Sequence, residues 1–246
     1  MYKTVIVIPA RYQSSRLPGK PLIEINGKPM LQHVLEAAHK VRGVNDIVVA
    51  TDDERIVDAV QIWGYNAIMT SVNHQSGTDR LIEVCHTIDA DIYVNLQGDE
   101  PLINTEDVST LVELMQQQPA IECASMCHVI SDDKVDDINS VKVVLSKDNT
   151  ALYFSRSTIP FKRENTAIPY YKHVGVYAYR SSLLRDYPIV EKDSLELTES
   201  LEQLRLLYEG KKIHMLKVQH AYPGVDTYES LKEVESIIKS RDCGDN

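Results

Sequence analysis

The stretch TVIVIPARYQSSRLPGKP, residues 4–21, decides the fold class. Its first six residues form a near-continuous apolar run, as expected of a strand buried on both faces of a sheet. A polar loop follows to about Lys20, carrying Arg11, Arg16 and Lys20, with Pro18 and Pro21 limiting its freedom. The loop contains neither G-x-G-x-x-G nor G-x-x-x-x-G-K-[ST], so it is neither a dinucleotide fingerprint nor a phosphate-binding P-loop. Working outward, Asn26-Gly27 marks a turn, Pro29 suits a first helical position, and the helix should run to about Arg42 with Gly43 as its stop. Residues 46–51 (DIVVAT) read as a second strand. Asp52 or Asp53 caps a helix carrying Ile56, Val57, Val60 and Trp63, and Gly64 ends it. Strands at 67–70 and 91–96 alternate with helices at about 78–88 and 105–118, the last starting near Asn104 or Thr105.

That alternation predicts right-handed βαβ units: an α/β fold with a mainly parallel sheet flanked by helices. From about residue 121 the pattern changes. Strands at 141–146, 151–155 and 173–179 follow one another without helices, which predicts a mixed-sheet extension within about 121–190. A helix from Thr198 is expected to bury Leu201, Leu204 and Tyr208. A strand at 213–218 and a helix from Asp226 or Thr227 follow, with a loose tail after Lys239. There is no repeat, low-complexity linker or clear boundary, so residues 1–246 read as one domain.

Composition narrows the classes. Hydrophobic residues make up 43% of the chain and charged residues 25%, as in an ordinary globular protein. No apolar run approaches the ~18–20 residues needed to span a bilayer, and the N-terminus lacks a signal-peptide pattern. The expectation is a cytoplasmic protein with no membrane insertion. Cys85, Cys123, Cys127 and Cys243 form no metal pattern, and Cys123 and Cys127 read as core thiols. The net charge of −10 argues against a nucleic-acid partner. Residues 1–42 nevertheless carry seven Lys/Arg against two acids. A local cationic segment in an acidic chain points to a small anionic ligand.

In open parallel sheets, ligands bind beyond the carboxyl ends of the strands. There this chain places ARYQSSRLPGKP, TDD, SVNHQSGTDR and QGDEP. Arg11, Arg16 and Lys20 suit a triphosphate clamp, because guanidinium groups take phosphate oxygens in pairs and an ammonium acts as a point charge. Three solvated surface charges would have the same spacing. Asp99, just past a buried strand, could hold a hard cation such as Mg²⁺, or simply belong to a turn with Gly98 and Pro101. Asp226, three residues before Glu229, reads first as a helix cap. His173, Tyr177, Arg156, Glu202 and Gln203 are each unremarkable taken alone.

The segments VIVIPARYQSSRLPGKPLIEINGKPM, VVATDDERI, HQSGTDRL, VNLQGDEPLI, ALYFSRSTIP, KHVGVYAY, LEQLRLL and GVDT occur in this order from Val5 onward. Together they resemble the 3-deoxy-manno-octulosonate (Kdo) cytidylyltransferases, also called CMP-Kdo synthetases, over nearly the whole chain. The resemblance implies a nucleotide-diphospho-sugar transferase-like fold, a homodimer using the mixed-sheet extension, and Mg²⁺-dependent transfer of CMP from CTP to Kdo for lipopolysaccharide or capsule. It implies that Arg11, Arg16 and Lys20 hold the CTP phosphates, with Ser76, Gly77 and Thr78 near the nucleotide. Asp99 and Asp226 would share Mg²⁺, and Arg16, Lys20 and the two aspartates would be catalytic. Gln97, Arg156, His173, Tyr177, Glu202 and Gln203 would line the sugar site. The chain departs from the pattern in the middle, where only NTAIPYY separates FKRE from KH, and LELTESLEQLR is loosely matched before Leu201. Alternatives are a cytidylyltransferase for another acidic sugar (a nonulosonate or amino-Kdo), a nucleotide-sugar glycosyltransferase on a similar fold, and a non-catalytic nucleotide-binding module.

Overall fold

The structure, a computed structural model, describes residues 2–13, 17–74, 76–164, 167–187 and 194–242. Strand β1 (Thr4–Ala10) lies inside the sheet, and its alternate residues feed two cores. Ile6 and Ile8 face one cluster; Val5 and Val7 face the other. This is why the run is apolar without alternation. The β2–β3 hairpin (Glu24–Ile25, Lys28–Pro29) turns at Asn26 and Gly27, both at positive φ as a two-residue hairpin requires. Then come α1 (Met30–Ala38), β4 (Asp46–Thr51), α2 (Glu54–Ile62), β5 (Asn66–Met69), α3 (Gly77–Thr87), β6 (Ile92–Asn95) and α4 (Thr105–Gln117). Asp53 caps α2 and Asn104 caps α4 through their side chains. Helices α1, α2 and α4 pack on the Ile6 face and α3 on the Val5 face.

The second half contains β7 (Cys123–Ile130), β8 (Lys142–Leu145), β9 (Ala151–Ser155), β10 (Tyr170–Arg180), α5 (Ser181–Arg185), α6 (Ser194–Glu199), α7 (Leu204–Tyr208), β11 (His214–Val218) and α8 (Tyr228–Asp242). The main sheet runs β11-β7-β10-β6-β1-β4-β5. Pairs β6–β1, β1–β4 and β4–β5 are parallel. Strand β10 runs antiparallel between β6 and β7, and β8 pairs with both β10 and β9, forming the mixed extension.

Five expectations change. Helix α1 ends at Ala38, four residues short of the expected Arg42. Strand β7, with Cys123 and Cys127 buried in it, went unread because its sequence, CASMCHVI, has no strong β pattern. The helix expected from Thr198 is two short helices, interrupted by Ser200 at φ 52°, and Tyr208 is exposed. Pro29 lies in β3, before the first turn of α1. The tail does not loosen at Lys239: α8 continues to Asp242.

Candidate active site

The parallel strands deliver their C-terminal loops to one edge, and a third, smaller core ties three of those loops together. Leu17 from the first loop, Leu102 from the loop after β6 and Val225 ahead of α8 are buried in one cluster with Ile25, Met30, Val234 and Ile238. The Val225 N–H also donates to the Asp99 carbonyl at 2.8 Å. Sequence-distant residues thereby meet: Lys20 Nζ donates to Asp99 Oδ2 at 2.6 Å and to Asp226 Oδ1 at 3.0 Å. Gly98 permits this approach, because a Cβ there would lie 2.9 Å from the Pro9 carbonyl oxygen.

These groups border a cavity of about 460 Å³, lined by Arg11, Lys20, Gly77, Gln97, Asp99 and Asp226 among others. Arg11 is exposed at its mouth. Arg16 lies outside the described residues. Asp226 is not the cap of α8. Thr227 takes that role, its Oγ1 accepting from the Ser230 N–H at 3.2 Å, while the Asp226 carboxylate turns to Lys20.

Sequence reasoning passed over two residues here. Arg80, on α3, is fully buried, with one Nη donating to Asp52 and the other to Thr70, each at 2.6 Å. Its Nε has no hydrogen-bond partner among the described residues, and the residue lines the cavity. Glu100 stands behind Asp99; loss of water, then the Asp99 charge, pushes its carboxyl up to about 8.

A second cavity, about 270 Å³, shares Gly77 and Gln97 with the first. Thr78, His173, Tyr177, Glu202 and Gln203 line it, so five expected sugar residues meet in one place, joined by Thr78. Strand β10 supplies His173 and Tyr177, and its pairing with β7 breaks between Val174 and Tyr177. Gln97 Nε2 donates to the Gly175 carbonyl across the junction at 3.3 Å. His173 Nε2 lies 3.1 Å from Ser125 Oγ, and burial pushes the ring down to about 3, so it is neutral at pH 7. Burial also raises the Tyr177 hydroxyl and the Glu202 carboxyl above their ordinary values.

The polar accounting is uneven. Five buried side-chain polar atoms lack a hydrogen-bond partner among the described residues, and three of them, Asn95 Oδ1, the Tyr177 hydroxyl and Glu202 Oε1, belong to this cavity's lining. Buried polar groups are ordinarily paired, so their concentration here marks a place suited to a polar ligand. Asn95 carried no signal in the sequence beyond ending a strand.

Two expected residues sit elsewhere. Arg156 does not line either cavity. Its guanidinium donates to the carbonyls of Glu199 at 2.9 Å, Ile138 at 3.2 Å and Ser200 at 3.4 Å. Ser76 caps α3 in a reciprocal capping box with Asp79 and faces a neighbouring cavity. Of the Ser76-Gly77-Thr78 segment, only Gly77 borders the first cavity.

A family model for cytidylyltransferases matches residues 5–213. A 3-deoxy-manno-octulosonate cytidylyltransferase from Escherichia coli is 52% identical over 238 residues, 97% of each chain. An 8-amino-3,8-dideoxy-manno-octulosonate cytidylyltransferase from Shewanella amazonensis is 45% identical over 239 residues, 95% of this chain and 98% of its own. The solved structure of a CMP:2-keto-3-deoxy-manno-octonic acid synthetase complexed with CTP is similar with a TM-score of 0.95 at 51% identity, covering 97% of this chain and 99% of that one. A cytidylyltransferase from Leptospira borgpetersenii, with a TM-score of 0.67 at 19% identity, shares the fold. The chain belongs to the cytidylyltransferase family and, within it, to the 3-deoxy-manno-octulosonate cytidylyltransferases.

Proposed function

We propose that this enzyme transfers CMP from CTP to the anomeric hydroxyl of Kdo, giving CMP-Kdo and pyrophosphate, as one catalytic domain. The observation that carries the division of labour is the pair of cavities meeting at Gly77 and Gln97, one bordered by charge and the other by neutral or unpartnered polar groups. CTP occupies the first, with its phosphates toward Arg11, Lys20 and Arg16. The sugar occupies the second. The sugar hydroxyl oxygen then forms a bond to the α-phosphorus while the bond from that phosphorus to the β-phosphate oxygen breaks, and the hydroxyl proton is released.

No protein nucleophile is required, so the side chains act by positioning and by neutralising charge. Gln97, at the junction, is placed to orient the two reacting groups. Lys20 balances the negative charge that grows on departing pyrophosphate. Asp99 and Asp226 fit a Mg²⁺ ion, because two hard carboxylates already converge on one cation, the Lys20 ammonium, beside the phosphate region. When bound there, Mg²⁺ would supply Lewis-acid charge to the phosphate and lower the pKa of the sugar hydroxyl. Neutral His173 holds its ring against Phe154 and Tyr177 and offers hydrogen bonds without a charge.

An amino-substituted Kdo is a second acceptor worth testing. Glu202 Oε1 has no hydrogen-bond partner among the described residues and can accept from a hydroxyl or from an ammonium. The deciding assay supplies Mg²⁺, each nucleoside triphosphate in turn and a panel of acidic sugars, and measures pyrophosphate. CTP with Kdo should give the highest kcat/KM; equal rates with ATP, or preference for the amino sugar, would revise the assignment.

The enzyme works as a cytoplasmic homodimer. Among the described residues no helix is long and apolar enough to cross a membrane. The mixed-sheet extension leaves Leu152, Val129 and Phe161 exposed, Phe161 at 85%, and such exposed apolar side chains are what a pairing surface would cover. Sedimentation of Phe161→Asp should give a monomer; an unchanged dimer would place the interface elsewhere.

A further inference from the structure

The segment 199–203, from the last residue of α6 to the start of α7, carries Glu202 and Gln203 to the sugar cavity and is anchored in the core by the buried Leu201. On one side is that cavity. On the other is a separate cavity of about 230 Å³, bordered by Ser200, Leu201 and Glu202 together with Ser76, Asp79 and Arg205. The turn also contains Ser200 at φ 52°, a left-handed conformation that a residue with a Cβ adopts only when its surroundings impose it.

Backbone bonds from Leu201 N–H to the Glu196 carbonyl and from Leu204 N–H to the Leu201 carbonyl, each 3.2 Å, hold the segment locally, and hydrogen bonds from the end of β9 add a constraint from outside it. The Arg156 guanidinium holds the carbonyls of Glu199 and Ser200. The Glu199 carboxylate accepts in return from the Arg156 N–H at 2.9 Å and from the Ser155 hydroxyl at 2.5 Å. The buried Lys142 ammonium donates to the Arg156 carbonyl and, at 2.9 Å, to that of Asp137, which fixes the strand end itself. Beyond the turn, Arg205 makes a bidentate pair with Glu196, both bonds at 2.7 Å, so the flanking short helices are tied to each other.

We propose that Arg156 and Glu199 are positioning residues of the sugar site. They clamp the 199–203 turn in its strained form and so set where Glu202 and Gln203 meet the acceptor, without touching it themselves. The proposal rests on reading the second cavity as the acceptor site.

The test compares wild type, Arg156→Ala, Gln203→Ala, the double variant and Ser200→Val, which strains the turn without removing Arg156. Arg156→Ala and Ser200→Val should each raise the KM for Kdo by about 10-fold or more and leave the KM for CTP within about two-fold, as for a misplaced binding group. Adding Gln203→Ala to Arg156→Ala should cost little beyond the worse single variant, because both act through one turn. Amide hydrogen exchange at Leu201–Gln203, measured without substrates, should quicken in Arg156→Ala. Full additivity, an equal rise in both KM values, an unchanged Kdo KM or unchanged exchange would overturn the clamp. Should the wild type fail to use Kdo, the acceptor reading falls, and hydrogen exchange alone still decides whether the clamp exists.

Discussion

The two cavities that meet at Gly77 and Gln97 are held by different forces. In the first, charged groups are drawn together: Lys20 bridges Asp99 and Asp226, and the loops bearing them are anchored beneath by Leu17, Leu102 and Val225. In the second, neutral His173 stands beside Asn95 Oδ1, the Tyr177 hydroxyl and Glu202 Oε1, which are buried and lack hydrogen-bond partners among the described residues. A charged site tolerates exposure, since Asp226 keeps 58% of its side chain in contact with solvent. A neutral site gains its selectivity from burial, because each unmet hydrogen bond disfavours a ligand that cannot complete it. On the proposed division, the phosphate chemistry belongs where the sheet edge gathers loops, and acceptor recognition where β10 and the α6–α7 turn meet.

The strongest way to break this contrast is to neutralise the charged side. Asp99→Asn and Asp226→Asn should each lower kcat by about 100-fold or more, as for loss of a principal electrostatic stabiliser. Their thermal midpoints should move little, because partly exposed ion pairs contribute only ~0–1 kcal/mol. Thr227→Ala should do the reverse, costing ~1 kcal/mol of stability through the lost cap of α8 with turnover retained. Kinetics and calorimetry on the three variants separate the roles; loss of stability without loss of turnover in Asp226→Asn would restore the capping role to Asp226.

Gly98→Ala probes the backbone that joins the two sides. Its new methyl group meets the Pro9 carbonyl oxygen, a contact with no flexible partner to yield. Denaturation should show a loss of about 1–3 kcal/mol, typical of overpacking, together with reduced turnover as Asp99 shifts.

The neutral side should reveal itself in pH. The folded His173 value of about 3 lies below the ordinary ~6.5, so the unfolded chain takes up the proton first as pH falls. Stability from the neutral ring is complete above pH ~6.5 and is lost as pH falls toward 3, at about 1.4 kcal/mol per unit. His173→Gln should flatten the stability curve between those limits, as measured by urea denaturation; an identical slope in both proteins would mean the ring is already charged or solvated.

The same contrast explains what the sequence revealed. Arg11, Lys20 and Asp99 were legible because each follows a strand of a strictly alternating region, where ligands gather. The strands themselves were legible for the same reason, and the caps to within one residue: Asp53 of the pair Asp52 and Asp53, and Asn104 of the pair Asn104 and Thr105. Asn95 and Arg80 were not, because a polar residue at a strand end or on a helix becomes informative only when folding buries it without a partner. The residues of β10 and the α6–α7 turn were identified through family resemblance rather than spacing. For Arg156 the resemblance implies a place in the sugar site, whereas three of its five side-chain N–H donors here meet the carbonyls of Glu199, Ile138 and Ser200, contacts that no local pattern announces.

The division of the two cavities is tested most directly by steady-state pyrophosphate release from the Tyr177→Phe/Glu202→Gln variant across a grid of CTP and Kdo concentrations. Both changes keep the shape of the cavity; the first removes the Tyr177 hydroxyl and the second replaces a carboxylate oxygen of Glu202, an acceptor, by an amide donor. The KM for Kdo should rise by about 30-fold or more, as expected when a site loses a hydrogen bond to a buried substrate group worth ~2 kcal/mol, while the KM for CTP stays within about two-fold. An equal rise in both values would mean that the second cavity serves the nucleotide or the fold, and the separation of donor from acceptor would fail.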